Sequence, residues 1–364
     1  MKKKYYSLEK IKSVMADYNL IIGERSNGKT YATLEDCTKE YWNSGKKKEF
    51  GYVRRWKEDV IGKRAEQVFA SLVSNGAISK ITGGEYSSVY YRSGKFWLAN
   101  WNDEKQKYTT AEKPFCYCFA LSEMEHDKST AYPNIANIVF DEFITRRFYL
   151  PDEFVLFMNV VSTIVRDRKI DRIYMLGNTV NKYNPYFENF GINKDLEQGK
   201  IQLYQFGETL LAVEYCESNE KSKVNSNRYF AFDNPKLKMI TGGKWELDVY
   251  PHIPYDMSIT YNDILFSFYI VFDNQTIQGD VVRKEIGTFL FFHRKTTEIK
   301  NPERQLIFSL AYDVNPLHRR EILKPVDEIG KKIARFFAIE KVFYQSNEIG
   351  ETVRNYLINS CQKI

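Results

Sequence analysis

The fold is decided by a short loop whose residues are Gly23-Glu24-Arg25-Ser26-Asn27-Gly28-Lys29-Thr30. This loop matches the pattern G-x-x-x-x-G-K-[ST], in which successive backbone N–H groups point inward and bind phosphate. An apolar run at 18–22 precedes it, and apolar side chains at helical spacing follow it. This order of strand, loop and helix predicts a nucleotide site in which Lys29 contacts the β- and γ-phosphates and Thr30 binds Mg²⁺.

An acidic pair follows a second apolar strand, with the sequence NIVF at 137–140. Asp141 is predicted to hold Mg²⁺ at the strand end, and Glu142 to act as the general base that polarises the attacking water. A helix N-cap would explain one acid but not two acids behind a fully apolar strand. A glutamate directly after the aspartate is typical of the ASCE branch of P-loop ATPases, which hydrolyse ATP with their own base.

A third strand, at 171–180, ends near Asn178, where a polar sensor for the γ-phosphate belongs. An ordinary asparagine in a turn is the alternative interpretation. The sequence Asn181-Lys182-Tyr183-Asn184 lacks the carboxylate that reads guanine, which favours ATP over GTP.

Arginines are numerous, and surface solvation is the expected state for most of them. Those near the predicted site elements are Arg54, Arg55, Arg146, Arg147, Arg166, Arg168 and Arg172. A ring ATPase needs one arginine that reaches the γ-phosphate in the neighbouring subunit. Arg166 ends a long amphipathic helix that begins near Pro151 and is well placed to project from a subunit edge, and Arg146 is the alternative.

Alternating strands and helices predict an α/β domain at 1–215, with a mostly parallel sheet between helices. A polar segment begins a linker at 216–254, and a smaller α+β domain follows at 255–364. The net charge of +6 fits a cationic surface but does not by itself identify a partner. Because no apolar run approaches the roughly 18 to 20 residues of a membrane helix, we expect a soluble intracellular protein and no membrane partner.

Two alternatives to an ATP-driven motor remain open. Asp273, Asp280 and Asp313 are predicted to lie near strand ends, where convergence on two metals would make a nuclease of the C-terminal domain. Such residues are also common turn formers. The second alternative is a nucleotide-binding switch that controls assembly and scarcely turns over, against which the adjacent Glu142 argues.

The residues together resemble the DNA-packaging ATPases, or encapsidation proteins, of phi29-like podoviruses. Five strings occur in the order and spacing of that family, over roughly residues 18–190. They are LIIGERSNGKTYA (20–32), FGYVRRWK (50–57), KSTAYPNIANIVFDEFI (128–144), TIVRDRKIDRIYMLGNTV (163–180) and NPYFENF (184–190).

The resemblance implies a homopentameric ring at the portal vertex that drives double-stranded DNA into a prohead in the host cytoplasm, and that is absent from the mature virion. It implies a C-terminal domain with a degenerate RNase H fold that binds DNA and the vertex, and it adds a packaging RNA as a candidate partner. It also assigns the trans-acting arginine finger to Arg166, and suggests that Lys57 and Lys128 act on the neighbour's nucleotide. The chain departs from the family in a longer insert at about 71–110 and in its linker.

Overall fold

The computed structural model describes residues 5–126, 131–145, 149–166, 168–180, 182, 184–192, 195–217, 250–272, 275–285, 287–311 and 313–361. The chain divides into two compact units. The N-terminal unit comprises Met1–Arg146 and Glu153–Glu246, and the C-terminal unit comprises Arg147–Asp152 and Leu247–Ile364. Most of the predicted linker lies outside the described residues, so its boundaries stay a prediction.

The N-terminal unit alternates strands and helices along most of its length. Its elements are α1 (Glu9–Lys12), β1 (Tyr18–Gly23), α2 (Lys29–Asn43), β2 (Glu49–Arg54), α3 (Gly62–Glu66), α4 (Ala70–Ser74), α5 (Ala77–Ile81), β3 (Ser88–Arg92), β4 (Lys95–Asn102), β5 (Lys107–Thr110), β6 (Cys116–Ala120), β7 (Ile135–Asp141), α6 (Glu153–Val165), β8 (Arg172–Asn178), α7 (Pro185–Asn189), β9 (Ile201–Phe206) and β10 (Thr209–Tyr215).

These strands form one sheet in the order β3-β4-β6-β2-β7-β8-β1-β10-β9, with β5 paired to β4. Six neighbouring strands of this sheet are parallel, namely β6, β2, β7, β8, β1 and β10. The strands β3, β4, β5 and β9 pair antiparallel at the two ends of the sheet. The mixed α/β fold with a mostly parallel sheet is therefore confirmed. The strand β8 lies between β1 and β7, which is the arrangement of the ASCE class.

The central strands are apolar because helices cover both of their faces. Val139 belongs to the core cluster that contains Leu34 and Tyr41 of α2. Its neighbour Phe140 points to the other face, where its ring stacks 5.0 Å from that of Phe157 on α6. The alternation along β7 thus fixes which helix lies on which side of the sheet.

The C-terminal unit is built on a second, smaller sheet. Its elements are β11 (Ile264–Phe272), β12 (Gln275–Lys284), β13 (Gly287–Arg294), β14 (Ile307–Ser309), β15 (His318–Arg319), α8 (Glu328–Ala338), β16 (Val342–Tyr344) and α9 (Asn347–Ser360). The strand order is β15-β14-β11-β12-β13-β16. Five of these strands, in the order β13-β12-β11-β14-β15, are arranged as in an RNase H sheet. In that arrangement β11, β12 and β13 pair antiparallel, and β14 and β15 run parallel to β11.

The acids proposed for a nuclease do not form a metal site among the described residues. Asp280 lies in the middle of β12, so its predicted position near a strand end is wrong. Its buried carboxylate accepts hydrogen bonds from Ser267 Oγ (2.6 Å) and Gln278 Nε2 (2.8 Å), and contacts His293 Nε2 (2.9 Å). Burial alone would raise the pKa of Asp280, but these three contacts hold that pKa below its usual value.

Asp313 is an exposed residue that contacts His318, and Asp273 lies outside the described residues. Across the described ranges, no group of three His, Cys, Asp or Glu side chains is placed to hold a metal ion. The described residues therefore supply no three-carboxylate site for the nuclease alternative.

None of the helices in these ranges has the length and apolar composition needed to cross a membrane.

Candidate functional site

Three parallel strands deliver the predicted site residues to one edge of the large sheet. The strands β1, β7 and β8 end at Gly23, Asp141 and Asn178, and Gly23 is in register with Asn178. A cleft of about 390 Å³ opens at this edge. Its lining residues are Arg25, Ser26, Asn27, Gly28, Lys29, Thr30, Tyr31, Asp141, Glu142, Leu176, Gly177 and Asn178.

The loop at 23–30 wraps tightly enough for its backbone to form a phosphate cradle. Gly28, directly before α2, has a left-handed φ of 96°, which suits a residue without Cβ. The N–H of Lys29 donates to Asn27 Oδ1 at 3.1 Å, which closes the turn before the helix. The loop therefore meets the N-terminus of a fifteen-residue helix, where peptide dipoles favour an anion.

The ammonium of Lys29 lies folded back over this loop. Its Nζ donates to the carbonyls of Gly23 (3.2 Å) and Glu24 (2.8 Å), and contacts Asn178 Oδ1 at 3.4 Å. Burial lowers the pKa of Lys29 to about 8, although Cys216, Asp141 and Glu24 oppose the shift. A phosphate in the cradle would supply the negative charge that this buried ammonium needs.

Thr30 and Asp141 are adjacent, as a shared metal requires. Thr30 Oγ1 donates to Asp141 Oδ1 at 3.0 Å, and the Tyr52 hydroxyl donates to Asp141 Oδ2, also at 3.0 Å. A hydroxyl and a carboxylate beside a phosphate cradle are the oxygen ligands that Mg²⁺ prefers. Burial raises the pKa of Asp141, and Arg54 opposes that rise. The donor set thus fits Mg²⁺.

Glu142 is held in an unusual backbone conformation next to the metal ligand. Its φ is 60°, in the left-handed region that a residue with a side chain rarely adopts. The side chain is 49% exposed at the cleft, and its Oε2 accepts a hydrogen bond of 2.7 Å from Arg54 Nη2. The turn therefore points the carboxylate into the cleft instead of continuing the strand.

A buried ion pair fixes the backbone around Glu142. Arg55 donates to both oxygens of Glu153, with distances of 2.6 and 2.8 Å. The same guanidinium donates to the carbonyls of Glu142 (3.2 Å) and Phe143 (2.8 Å). Tyr186 adds a hydrogen bond of 2.6 Å to Glu153. Arg55 thus joins the end of β2 to the turn after β7 and the start of α6.

Sequence reasoning missed the roles of Tyr52, Arg54, Arg55 and Glu153. The expectation of surface solvation is wrong for Arg54 and Arg55, whose side chains are only 17% and 6% exposed. One signal could have found them. The strand β2 is parallel to β7, so polar residues at its carboxyl end lie at the same edge as the cleft.

Arg166 lies at the other edge of the sheet from the cleft of its own subunit. The helix α6 starts at Glu153 beside Arg55 and returns toward the start of β7, where Arg168 donates to the carbonyl of Tyr132. Thirteen helical residues span about 20 Å, so an arginine at the far end cannot reach the cleft in cis. Arg166 is exposed and has a φ of 48°, which ends the helix.

Of the two lysines assigned by resemblance, Lys57 is not among the residues that line the cleft. Lys57 follows β2, its side chain is 51% exposed, and its Nζ lies 2.9 Å from Glu123 Oε2. Lys128 lies outside the described residues. Their action on a neighbour's nucleotide stays a prediction.

The sheet order, the loop at 23–30 and the acids at 141–142 define an ASCE-type P-loop domain, joined here to a C-terminal unit. The family model of the podovirus DNA encapsidation protein (Gp16) matches residues 1–231, and the chain belongs to this family. The predicted resemblance is thereby confirmed.

Relatives and solved structures of phage packaging motors are similar to this chain. The DNA packaging protein of Bacillus phage phi29 is 29% identical over 199 residues, which cover 53% of this chain and 52% of that protein. The protein of the same description from Bacillus phage B103 is 30% identical over 185 residues, with 50% of each chain covered. The chain thus spans about half the length of the curated relatives it matches.

Two solved structures share the fold over nearly all of the chain. A structure described as the bacteriophage Phi-29 viral genome packaging motor assembly has a TM-score of 0.60 at 19% identity, covering 98% of this chain and 99% of that one. The Phi-28 gp11 DNA packaging motor has a TM-score of 0.59 at 16% identity, with full coverage of both chains. At these identities the likeness concerns the fold alone.

The Arg55–Glu153 pair gives a prediction about stability. Arg55→Met should destabilise the N-terminal unit by about 3–5 kcal/mol, because it leaves the Glu153 carboxylate buried without its cation. The double variant Arg55→Met, Glu153→Leu should recover most of this loss. Urea unfolding of the three proteins measures the effect, and a cost below about 1 kcal/mol for the single variant would contradict the structure.

The depressed pKa of Lys29 gives a prediction about pH. Below about 8 the free protein carries the ammonium, and above that value it carries the neutral amine. Because bound phosphate favours the ammonium, ATP affinity should fall as pH rises from neutral through this pKa, with proton uptake on binding. Calorimetric titration across this range measures both quantities. Lys63→Ala, at an exposed position, should keep the same profile, whereas an affinity independent of pH would refute the prediction.

Proposed function

We propose that this chain is an ATP-hydrolysing motor that translocates double-stranded viral DNA into a prohead. The observation that carries the proposal is the 3.0 Å contact between Thr30 Oγ1 and Asp141 Oδ1, with the exposed carboxylate of Glu142 next to it. A binding-only site would need the phosphate cradle and the metal ligands. Hydrolysis needs a general base in addition, and the strained turn at Glu142 directs such a carboxylate into the cleft.

Each residue of the cleft has a chemical task in this proposal. Lys29 and the loop N–H groups bind the β- and γ-phosphates of ATP, and Asn178 contacts the terminal phosphate beside Lys29. Thr30 and Asp141 would hold Mg²⁺, which neutralises charge on the phosphate oxygens when bound. Glu142 orients the attacking water and accepts its proton.

Arg54 holds the carboxylate of Glu142 in place beside the cleft. Its guanidinium lies 2.7 Å from Glu142 and 3.5 Å from Asp141 and from Asp59. Because Arg54 is bonded to three acids, it is not placed to act as the finger of its own subunit.

We further propose that the chain works as a ring, with five subunits as in the family it resembles. The position of Arg166, at the far end of a helix about 20 Å long, supports a finger that acts in the next subunit. Contacts of this kind between unlike surfaces close into a ring. Hydrolysis in one subunit then depends on the position of its neighbour, and Lys57 and Lys128 are further candidates for contacts across that boundary.

The other partners in this proposal are duplex DNA, the portal vertex of a prohead and a packaging RNA. The relatives are described as DNA packaging proteins, and the net charge of +6 suits a ring that follows phosphates. Such a grip does not depend on base sequence and weakens steeply with salt. The motor would act in the host cytoplasm while docked on a prohead.

The proposal predicts the behaviour of two variants in a steady-state ATPase assay. Glu142→Gln should bind ATP but lose about 10²–10⁴-fold in turnover, because the base is gone. Arg166→Ala should retain ATP binding and lose at least about 10³-fold of assembled-state turnover. Turnover of the unmodified chain should rise with protein concentration and with long duplex DNA, and fall at high salt.

Lys63→Ala is the matched control for loss of an exposed cation. Turnover that is indifferent to DNA, protein concentration and Arg166 would contradict the motor. Unchanged turnover in Glu142→Gln would instead support a nucleotide-binding switch.

A further inference from the structure

The strands β3, β4 and β5 present an aromatic surface at one end of the large sheet. On β4, Phe96 and Leu98 are buried in the core, whereas the alternate residues, including Trp97 and Trp101, lie on the opposite side. Pairing sets Tyr90 opposite Trp97 and Tyr108 opposite Trp101. Because residues paired in register share a side of the sheet, these four rings form one surface.

Three of the four rings on this surface are in contact, and two of these three are exposed. The ring centroids of Tyr90 and Tyr108 are 5.2 Å apart, and those of Trp101 and Tyr108 are 5.0 Å apart. Trp101 is 45% exposed and Tyr108 is 38% exposed. The core of the sheet therefore does not use these two rings, although each offers a flat apolar face for stacking.

The surface continues into a groove on the neighbouring strand β6. Lys95 is paired with Tyr117, and its Nζ lies 5.7 Å from the centre of that ring. The ring of Tyr132 is 5.4 Å further on. These three residues and Lys113 line a groove of about 590 Å³. We call the surface formed by Tyr90, Trp97, Trp101, Tyr108, Lys95 and Tyr117 the aromatic face.

The segment that carries the aromatic face has a net positive charge. Residues 88–118 contain five cations (Arg92, Lys95, Lys105, Lys107 and Lys113) and three carboxylates (Asp103, Glu104 and Glu112). Asp103 accepts a hydrogen bond of 3.0 Å from Trp101 Nε1, which holds the indole ring in place. The seven residues from Lys95 to Trp101 on β4 extend about 20 Å, which is long enough to follow several nucleotides.

We propose that the aromatic face binds unpaired nucleotides of an RNA. Flat aromatic side chains with interspersed cations are how proteins bind single strands, because each base stacks on a ring and each phosphate meets a cation. A duplex does not offer its bases for stacking, so phosphate contacts alone would not explain exposed, touching rings. Loops and ends of RNA do present such bases.

The choice of RNA over single-stranded DNA rests on the proposed function, in which the DNA is a duplex. The aromatic face itself does not depend on ATP hydrolysis. Five of its six residues lie in the segment at about 71–110 where the sequence departs from the family pattern, so the inference is not carried over from the relatives.

The test is a binding assay on the full chain, without nucleotide. Fluorescence anisotropy compares a labelled uridine-rich RNA of about 20 nucleotides, the DNA of matching sequence and a duplex DNA of equal length. The RNA should bind, with quenching of tryptophan fluorescence. Trp101→Ala, Tyr108→Ala in combination should weaken RNA binding at least about tenfold, because two stacking rings are lost.

Phe206→Ala is the matched control, because Phe206 is 48% exposed on β9 at the opposite end of the same sheet. It should bind RNA as the unmodified chain does. The inference would be overturned if the double variant bound RNA as tightly as the unmodified chain, or if duplex DNA competed as well as RNA. Tighter binding of single-stranded DNA than of RNA would overturn the choice of RNA. Because binding is scored without ATP, its failure contradicts this inference alone, and absent ATP turnover contradicts the proposed function alone.

Discussion

The hydrogen bond between Thr30 and Asp141 is the contact on which the site depends. It joins the first turn of α2 to the end of β7, two segments 111 residues apart in sequence. It forms only because β8 lies between β1 and β7 and all three strands are parallel, so that their carboxyl ends meet at one edge. The phosphate cradle, the metal ligands and the strained turn at Glu142 all follow from this arrangement.

The same sheet separates Glu142 from Arg166, the two residues that are proposed to complete a shared catalytic centre. Its carboxyl edge holds Glu142, and Arg54 and Arg55 at the end of β2 keep that residue in place. Its other edge receives the end of α6 with Arg166, one helix length away. In the proposed motor, each subunit therefore presents the base at one edge of its sheet and the arginine finger at the opposite edge. Identical subunits can close into a ring when one edge of each subunit contacts the opposite edge of the next.

Much of this was predictable from local patterns. The loop at 23–30 and the acids after an apolar strand have short-range signatures, and the elements around them are confirmed. Local sequence does not separate Arg54 and Arg55 from solvated arginines, because only the pairing of β2 with β7 reveals their place. The position of Asp280 in the middle of β12 is equally hidden, because QTIQGDVVRK lacks a clear alternation. Long-range pairing, not local propensity, decides these positions.

The central claim is that a base from one subunit and an arginine from the next complete each site. Mixing Glu142→Gln protein with Arg166→Ala protein tests it most directly, because each is inactive alone and each keeps what the other lacks. In mixed rings about a quarter of the sites would combine an intact base with an intact neighbouring finger. The account predicts that DNA-stimulated ATP turnover returns to about that fraction in an equimolar mixture. A mixture that stays as inactive as its components would contradict it.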